Sequence, residues 1–159
     1  LYLNVPTHNE IKLLPHRPSQ LFDLVSDIEK YPEFLPWCLS VSQISCKQES
    51  DHEIIIADME IGFQFFRETI RTRVILNRPD DNENGGSVEV EYINGPLKYL
   101  RNHWLFKPVD MKSCELDFFV EFEFKSILFQ QLIGSLFHQA VKKMVLAFEV
   151  RAKELFGDD

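Results

Sequence analysis

Apolar and polar positions along the chain change period twice. From Asn4 to Leu14 they alternate loosely, which predicts a first strand closed by Pro15. A short helix follows, opening at His16-Arg17-Pro18-Ser19 with Pro18 suited to its first turn. Leu21, Phe22, Leu24, Val25 and Ile28 give that helix its apolar side. Tyr31-Pro32 breaks it, and Pro32–Leu35 forms one further turn before Pro36. The period then falls to two through Val41–Glu49, Glu53–Phe63, Arg67–Arg78, Ser87–Asn94, Lys98–Pro108 and Cys114–Phe124. The last of these is the clearest, because Leu116, Phe118, Val120, Phe122 and Phe124 alternate with a largely acidic face. Between the third and fourth of them, Pro79–Gly86 reads as an acidic loop with nothing to bury.

At Ser126 the period returns to 3.6 and holds to Phe156, with Ser126 as N-cap and Gly157 as stop. Phe129, Ile133, Leu136, Phe137, Ala140, Met144, Ala147, Phe148 and Leu155 fall on one broad side. Such a helix is roughly 45 Å long at about 1.5 Å per residue. The earlier helix is too short to cover its apolar side, so the long helix must lie on a sheet. The order strand, short helices, six strands, long helix defines an α+β chain with a curved antiparallel sheet of about seven strands. The expected architecture is one domain over residues 1–159, its sheet wrapped around the long helix with an apolar space between them.

Composition sharpens this picture at a few points. The chain has 159 residues with 14 Phe, 4 Tyr and 2 Trp. A Phe-rich interior suits either a filled core or an apolar ligand cavity. A net charge of −8 argues against broad electrostatic binding to nucleic acid, and no direct DNA binding is expected. Cys38, Cys46 and Cys114 are odd in number and widely spaced, forming neither a disulfide framework nor a metal-ligand pair. No metal site or catalytic constellation is visible, and His8, His16, His52, His103 and His138 are scattered. Arg67, Arg71 and Arg73 share one strand face and Glu89 and Glu91 a face of the next, which reads as an outer charge ladder. Arg151 lies among the apolar positions of the long helix. It either snorkels or pairs with a carboxylate of the short helices, for which Asp27 is the expected partner.

Two segments depart from simple strand or helix grammar. Tyr31-Pro-Glu-Phe-Leu-Pro-Trp-Cys38 concentrates aromatics between stiffening prolines, and Gly95-Pro96-Leu97-Lys98 leads into Trp104-x-Phe106. Together with Phe122–Phe124 running into a helix that carries Phe148-x-x-Arg151-Ala152, these runs resemble the coenzyme-Q-binding START-domain proteins. That family sits within the polyketide cyclase/dehydrase and lipid-transport superfamily, and the similarity extends over essentially the whole chain. Leu97 stands where the family is expected to carry Phe, which bears only on fine pocket shape. The resemblance implies a helix-grip fold whose cavity binds ubiquinone or a related polyprenyl lipid in support of respiratory electron transfer. It implies no catalysis of its own and no cofactor beyond that ligand.

With strand faces taken by alternation, the lining is expected from Met59, Ile61, Phe63, Trp104, Phe106, Phe118, Val120 and Phe122. Leu136, Phe137, Ala140 and Met144 are expected to close it from the helix. Phe34, Leu35, Pro36 and Trp37 are expected to guard an entrance. The resemblance also implies a cytoplasmic protein in transient contact with the inner membrane, or one on the matrix side of a mitochondrion. Some bacterial members are labelled ribosome-association toxins, so the ribosome is an alternative partner, with Arg67, Arg71 and Arg73 as its contact. A cyclase- or dehydrase-like enzyme is a third reading; it needs an acid/base residue inside the cavity, and Asp58, Glu60 or His103 facing inward would favour it.

Overall fold

The computed structural model describes residues 6–63 and 66–157, with Phe63 described through its backbone alone. The expected first strand begins at Asn4, and residues 4 and 5 lie outside the described residues.

The strand β1 (Thr7–Leu14) leads to helix α1 (Pro18–Ser26), a 3-10 turn (Ile28–Glu33), then β2 (Cys38–Glu49) and β3 (His52–Phe63). After these come β4 (Phe66–Asn77), β5 (Gly86–Asn94), β6 (Leu97–Asp110), β7 (Ser113–Phe124) and α2 (Ile127–Phe156). All ladders are antiparallel, in the order β1-β7-β6-β5-β4-β3-β2. The strands β2 to β7 form a meander, and β1 adds to its β7 edge. The segment from Pro15 to Trp37, with α1 and the 3-10 turn, therefore crosses from one sheet edge to the other. Register shifts in β2, in the β4–β5 ladder and near both ends of the β6–β7 ladder bend the sheet, as bulges do.

Alternation puts Ile55, Ala57, Val74, Leu76, Val88, Trp104, Phe106, Leu116, Phe118 and Val120 in the core on the concave face. Leu21, Phe22, Leu24 and Val25 of α1 cover one part of it, and Phe22 meets Phe106 edge-on at 6.3 Å. Helix α2 covers another part. Its buried stripe is Phe137, Val141, Val145, Phe148 and Ala152. Leu136, Ala140 and Leu155, expected on the inner side, are exposed. The physical reason is that α2 carries apolar residues around much of its circumference. Periodicity alone could not choose the face, and the aromatic contacts did.

Those contacts define three grips along α2. Near its N-terminus Phe129 packs on Phe66 at 4.7 Å and on Phe124 at 6.1 Å. In the middle Phe137 meets Phe122 at 5.2 Å. Toward the C-terminus Phe148 is enclosed by Tyr31 (5.2 Å), Phe34 (5.0 Å) and Trp104 (4.8 Å), all steeply tilted, the favoured geometry for aromatic quadrupoles. Ser126 caps the helix by accepting from the Phe129 amide at 3.4 Å, and Gly157 ends it at φ 74°.

The acidic loop does more than expected. Glu83, at φ 66°, turns its carboxylate onto the first turn of α1, accepting from the Ser19 amide and hydroxyl at 2.7 Å each. A carboxylate there satisfies free amides at the positive end of the helix dipole, a role α1's own residue Arg17 cannot fill.

If the Phe148 side is the gripped side, Phe148→Ala should lower unfolding free energy by about 3–5 kcal/mol in urea titrations. Leu136→Ala on the exposed flank should cost less than about 1 kcal/mol. Equal losses would mean that α2 is held by a different face.

Candidate functional site

The concave face is filled unevenly. Under the C-terminal half of α2, the space between Leu14, Leu21, Leu24, Trp104, Phe106, Leu116, Val145 and Phe148 amounts to about 10 Å³. That is room for one water at most. Trp104, Phe106, Phe118, Val120 and Phe137 are buried there as wall and core. Farther along the sheet the packing loosens. Met59, Val90, Leu100 and Phe122 of the strands, Ile133, Met144 and Ala147 of α2, and Phe34 and Trp37 before β2 all pack on the core while remaining half-buried. Ile61 is half-buried as well. Helix α2 packs mainly on β7 and β1, and it reaches β4 at its N-terminal end through Phe129 on Phe66. These half-buried side chains form an open apolar strip on the concave face, the groove, where a closed chamber was expected.

The proline-aromatic segment divides its labour. Leu35 is buried as a plug, and Tyr31 is buried with its hydroxyl donating to the Val25 carbonyl. Burial pushes that hydroxyl above the ordinary phenol range, so it stays neutral. Phe34 and Trp37 stay half-buried at the groove, and Pro36 is exposed at its outer end. Leu136 and Ala140 do not close the groove, because they sit on the exposed side of α2. The side chain of Phe63 lies outside the described residues.

At the second segment the sheet forks. The β5–β6 ladder ends at Glu91 opposite Arg101, while β5 continues along β4 to Asn94 and β6 continues along β7 from Leu97. Gly95, at φ 145°, sits where an added Cβ would come within 2.9 Å of the Thr69 carbonyl, so the turn requires glycine. The Leu97 amide donates to the Tyr92 hydroxyl at 3.0 Å, and Leu97 itself is buried. An open depression of about 500 Å³ occupies the fork, and Val90 and Leu100 border both it and the core.

Charged groups fall into two sets. On the convex face Arg71 forms a bidentate pair with Asp58 at 2.7 and 3.0 Å, Arg73 meets Glu91 at 3.2 Å, and Arg67 meets Glu60 at 3.3 Å. The arginine ladder is therefore neutralised across strands, and Asp58 and Glu60 face away from the core. Arg71 holds the Asp58 carboxyl below the usual range. His103 also lies outside, stacked on Phe119 at 5.3 Å and 3.8 Å from Asp117. None of these three residues, Asp58, Glu60 and His103, points inward.

A second set, unforeseen in the sequence, lines the seam between β1 and α2. His138 Nδ1 lies 3.5 Å from His8 Nδ1, and His8 Nε2 lies 3.0 Å from Glu10 Oε2. Lys12 then meets Glu10 at 3.6 Å and donates to Glu149 at 2.7 Å. His8, Glu10 and Lys12 are two apart on one strand face, which was the available signal; their partners on α2 had none. Arg151 donates to Glu33 at 3.0 Å and lies 5.6 Å over the Phe34 ring. It pairs with a carboxylate of the short helical segment as expected, but with Glu33 instead of Asp27, since the 3-10 turn brings Glu33 alongside α2.

The three cysteines are free thiols. Burial pushes Cys38 up to about 11 and Cys114 up to about 12, which leaves both as neutral thiols without nucleophilic character. Among the described residues no group of His, Cys, Asp and Glu is arranged to hold a metal ion.

A seven-stranded antiparallel sheet curved around one long C-terminal helix, with an apolar groove between them, is the helix-grip architecture of START-like proteins. The chain belongs to the polyketide cyclase/dehydrase and lipid transport family, whose profile matches residues 14–149. It is 41% identical over 144 residues to a Rickettsia prowazekii protein named ribosome association toxin RatA, covering 91% of this chain and 94% of that one. It is 32% identical over 154 residues to the Xenopus laevis mitochondrial coenzyme Q-binding protein COQ10 homolog B, covering 94% of this chain and 59% of that one. Among solved structures it resembles the 18 kDa protein CC1736 from Caulobacter crescentus, with a TM-score of 0.74 and 34% identity over 96% of this chain and 99% of that one.

The seam predicts a pH signature. Glu149 holds Lys12 protonated above its ordinary range. The pair therefore contributes fully below about pH 10.4, the unperturbed lysine value. That contribution is lost as pH rises through the raised folded value. Comparing Lys12→Met with the parent chain at pH 8 should show a loss of less than about 1 kcal/mol, since both groups are partly exposed. The difference should shrink toward pH 12. A difference that grows with pH would contradict the assignment.

Proposed function

We propose that this protein binds ubiquinone or a related polyprenyl lipid without catalysing its conversion. The observation that carries this reading is the set of half-buried aliphatic, aromatic and thioether side chains along the concave face: Phe34, Trp37, Met59, Leu100, Phe122, Ile133 and Met144. A core that served only stability would bury these groups against one another. Here each keeps part of its surface available to a ligand. Covering about 200 Å² of apolar ligand surface supplies roughly 5 kcal/mol before association entropy is subtracted. A flat quinone ring suits stacking on a half-buried aromatic side chain, and an isoprenoid tail suits an open apolar strip, since a long tail exceeds a pocket of roughly 300–1,000 Å³. The name of the Xenopus relative and the lipid-transport family agree with this reading.

A ribosome-directed role has one observation in its favour, the name carried by the Rickettsia relative. The arginines expected to serve it are each paired with a carboxylate on the convex face, which leaves little free positive charge for RNA phosphates.

Organic extraction of the purified protein followed by mass spectrometry should recover a prenylated quinone or polyprenyl lipid. Met144→Glu, which places a charge on a half-buried groove position, should reduce the recovered ligand at least tenfold while leaving the circular dichroism spectrum intact. Repeated extracts containing no such lipid would remove the basis of the proposal.

A further inference from the structure

The side of α2 turned away from the sheet is also apolar. At 100° per residue, Leu128, Leu132, Leu136, Leu146 and Val150 form one stripe, about 170° around the helix from the mean direction of the gripped residues. These five side chains are 38–72% exposed. Their stripe runs about 33 Å along the helix, at about 1.5 Å per residue. Two exposed apolar patches, Leu128–Leu132–Leu136 and Leu146–Val150, separated by Gln139 and Lys143 on one helix face, suit an interaction surface. Lys142, Lys143 and Lys153 are exposed within or beside it. The acidic groups of this stretch are engaged: Glu149 accepts from Lys12 at 2.7 Å and Glu154 from Arg151 at 3.5 Å. A chain of net charge −8 thus turns a basic, aliphatic face outward on one helix.

We propose that this face docks on an anionic lipid bilayer, with α2 lying in the plane of the interface. Leucine and valine side chains would enter the acyl boundary, and lysine heads would reach headgroup phosphates. A second copy of the chain fits less well. Gln139 and Lys143 interrupt the stripe near its centre, so two-fold pairing would set Lys143 against or near its own counterpart in a seam that should be dry. RNA would use the lysines but leave five aliphatic side chains without an apolar partner, since its recognition works through phosphate contacts and aromatic stacking. A bilayer accommodates both features, because lysine stems snorkel to the surface while aliphatic groups stay below it. Docked this way, α2 carries the groove's own Met144 and Ala147 on an adjacent flank beside the lipid layer. The proposal rests on the ligand reading for its purpose, and its geometry is independent of any ligand.

The test uses the intact protein and vesicles free of quinone. It should float with phosphatidylcholine–phosphatidylglycerol vesicles, weakly with pure phosphatidylcholine vesicles, and less as salt is raised. Leu132→Ser with Leu146→Ser, both exposed and so harmless to folding, should reduce flotation more than tenfold. Lys142→Gln should reduce it about fivefold on the anionic vesicles alone, as expected for one lysine at a charged surface. Absence of flotation by the parent chain would overturn the proposal, as would flotation indifferent to the paired serine substitutions. Loss of self-association or of ribosome cosedimentation in the serine variant, with flotation unchanged, would reassign the face. Failure to extract a quinone would leave these vesicle results standing, so the two readings fail separately.

Discussion

The whole arrangement depends on how α2 is held, and aromatic rings grip it at three points along a buried stripe that also contains Val141, Val145 and Ala152. Phe129, Phe137 and Phe148 each meet rings supplied by the sheet, and Phe148 also meets rings of the Tyr31–Phe34 segment. Tilted ring contacts favour a defined geometry in addition to the area they bury. Beside those contacts Met59, Met144 and Leu100 stay half-buried, and they line the groove. The same grip fixes the rotation of α2, so that its second apolar stripe must face outward.

Electrostatics follows the same division. The convex face carries many charges, yet Arg67, Arg71 and Arg73 are matched by carboxylates on neighbouring strands. Exposed pairs of this kind add little stability; their consequence is to leave that face with little unbalanced charge. The seam pair Lys12–Glu149 and the pair Arg151–Glu33 are different in position, since each ties α2 to an element beside the groove. Both sit at the margins of the apolar space, where a charged head can reach water while its stem packs.

Much of this was legible in the order of residues. The seven strands, the short helical pair and the long helix follow from period changes and from Pro15, Pro36, Ser126 and Gly157, because those signals are local. Alternation and the stiffness of the proline segment also placed Phe34, Trp37, Met59 and Phe122 against the core, where they are half-buried. What could not be read depends on contacts remote in sequence. Helix α2 is apolar on opposite sides, so Leu136 and Ala140 looked equivalent to Phe137 until the rings of the sheet selected a face. Glu83 lies in a loop with no apolar content, yet it caps a helix 64 residues earlier. Glu33 replaced Asp27 as the partner of Arg151 because a 3-10 turn, with three residues per turn, rotates its side chains differently from an α-helix.

The most direct test of the groove uses the chain's three methionines, of which Met59 and Met144 line it and Met111 sits exposed at the tip of the β6–β7 hairpin. With 13C-labelled methionine methyls, titration with a short-tailed ubiquinone should shift the resonances of Met59 and Met144 together, saturably, and leave that of Met111 in place. Unmoved Met59 and Met144 signals at saturating quinone, or an equal shift at Met111, would contradict the account.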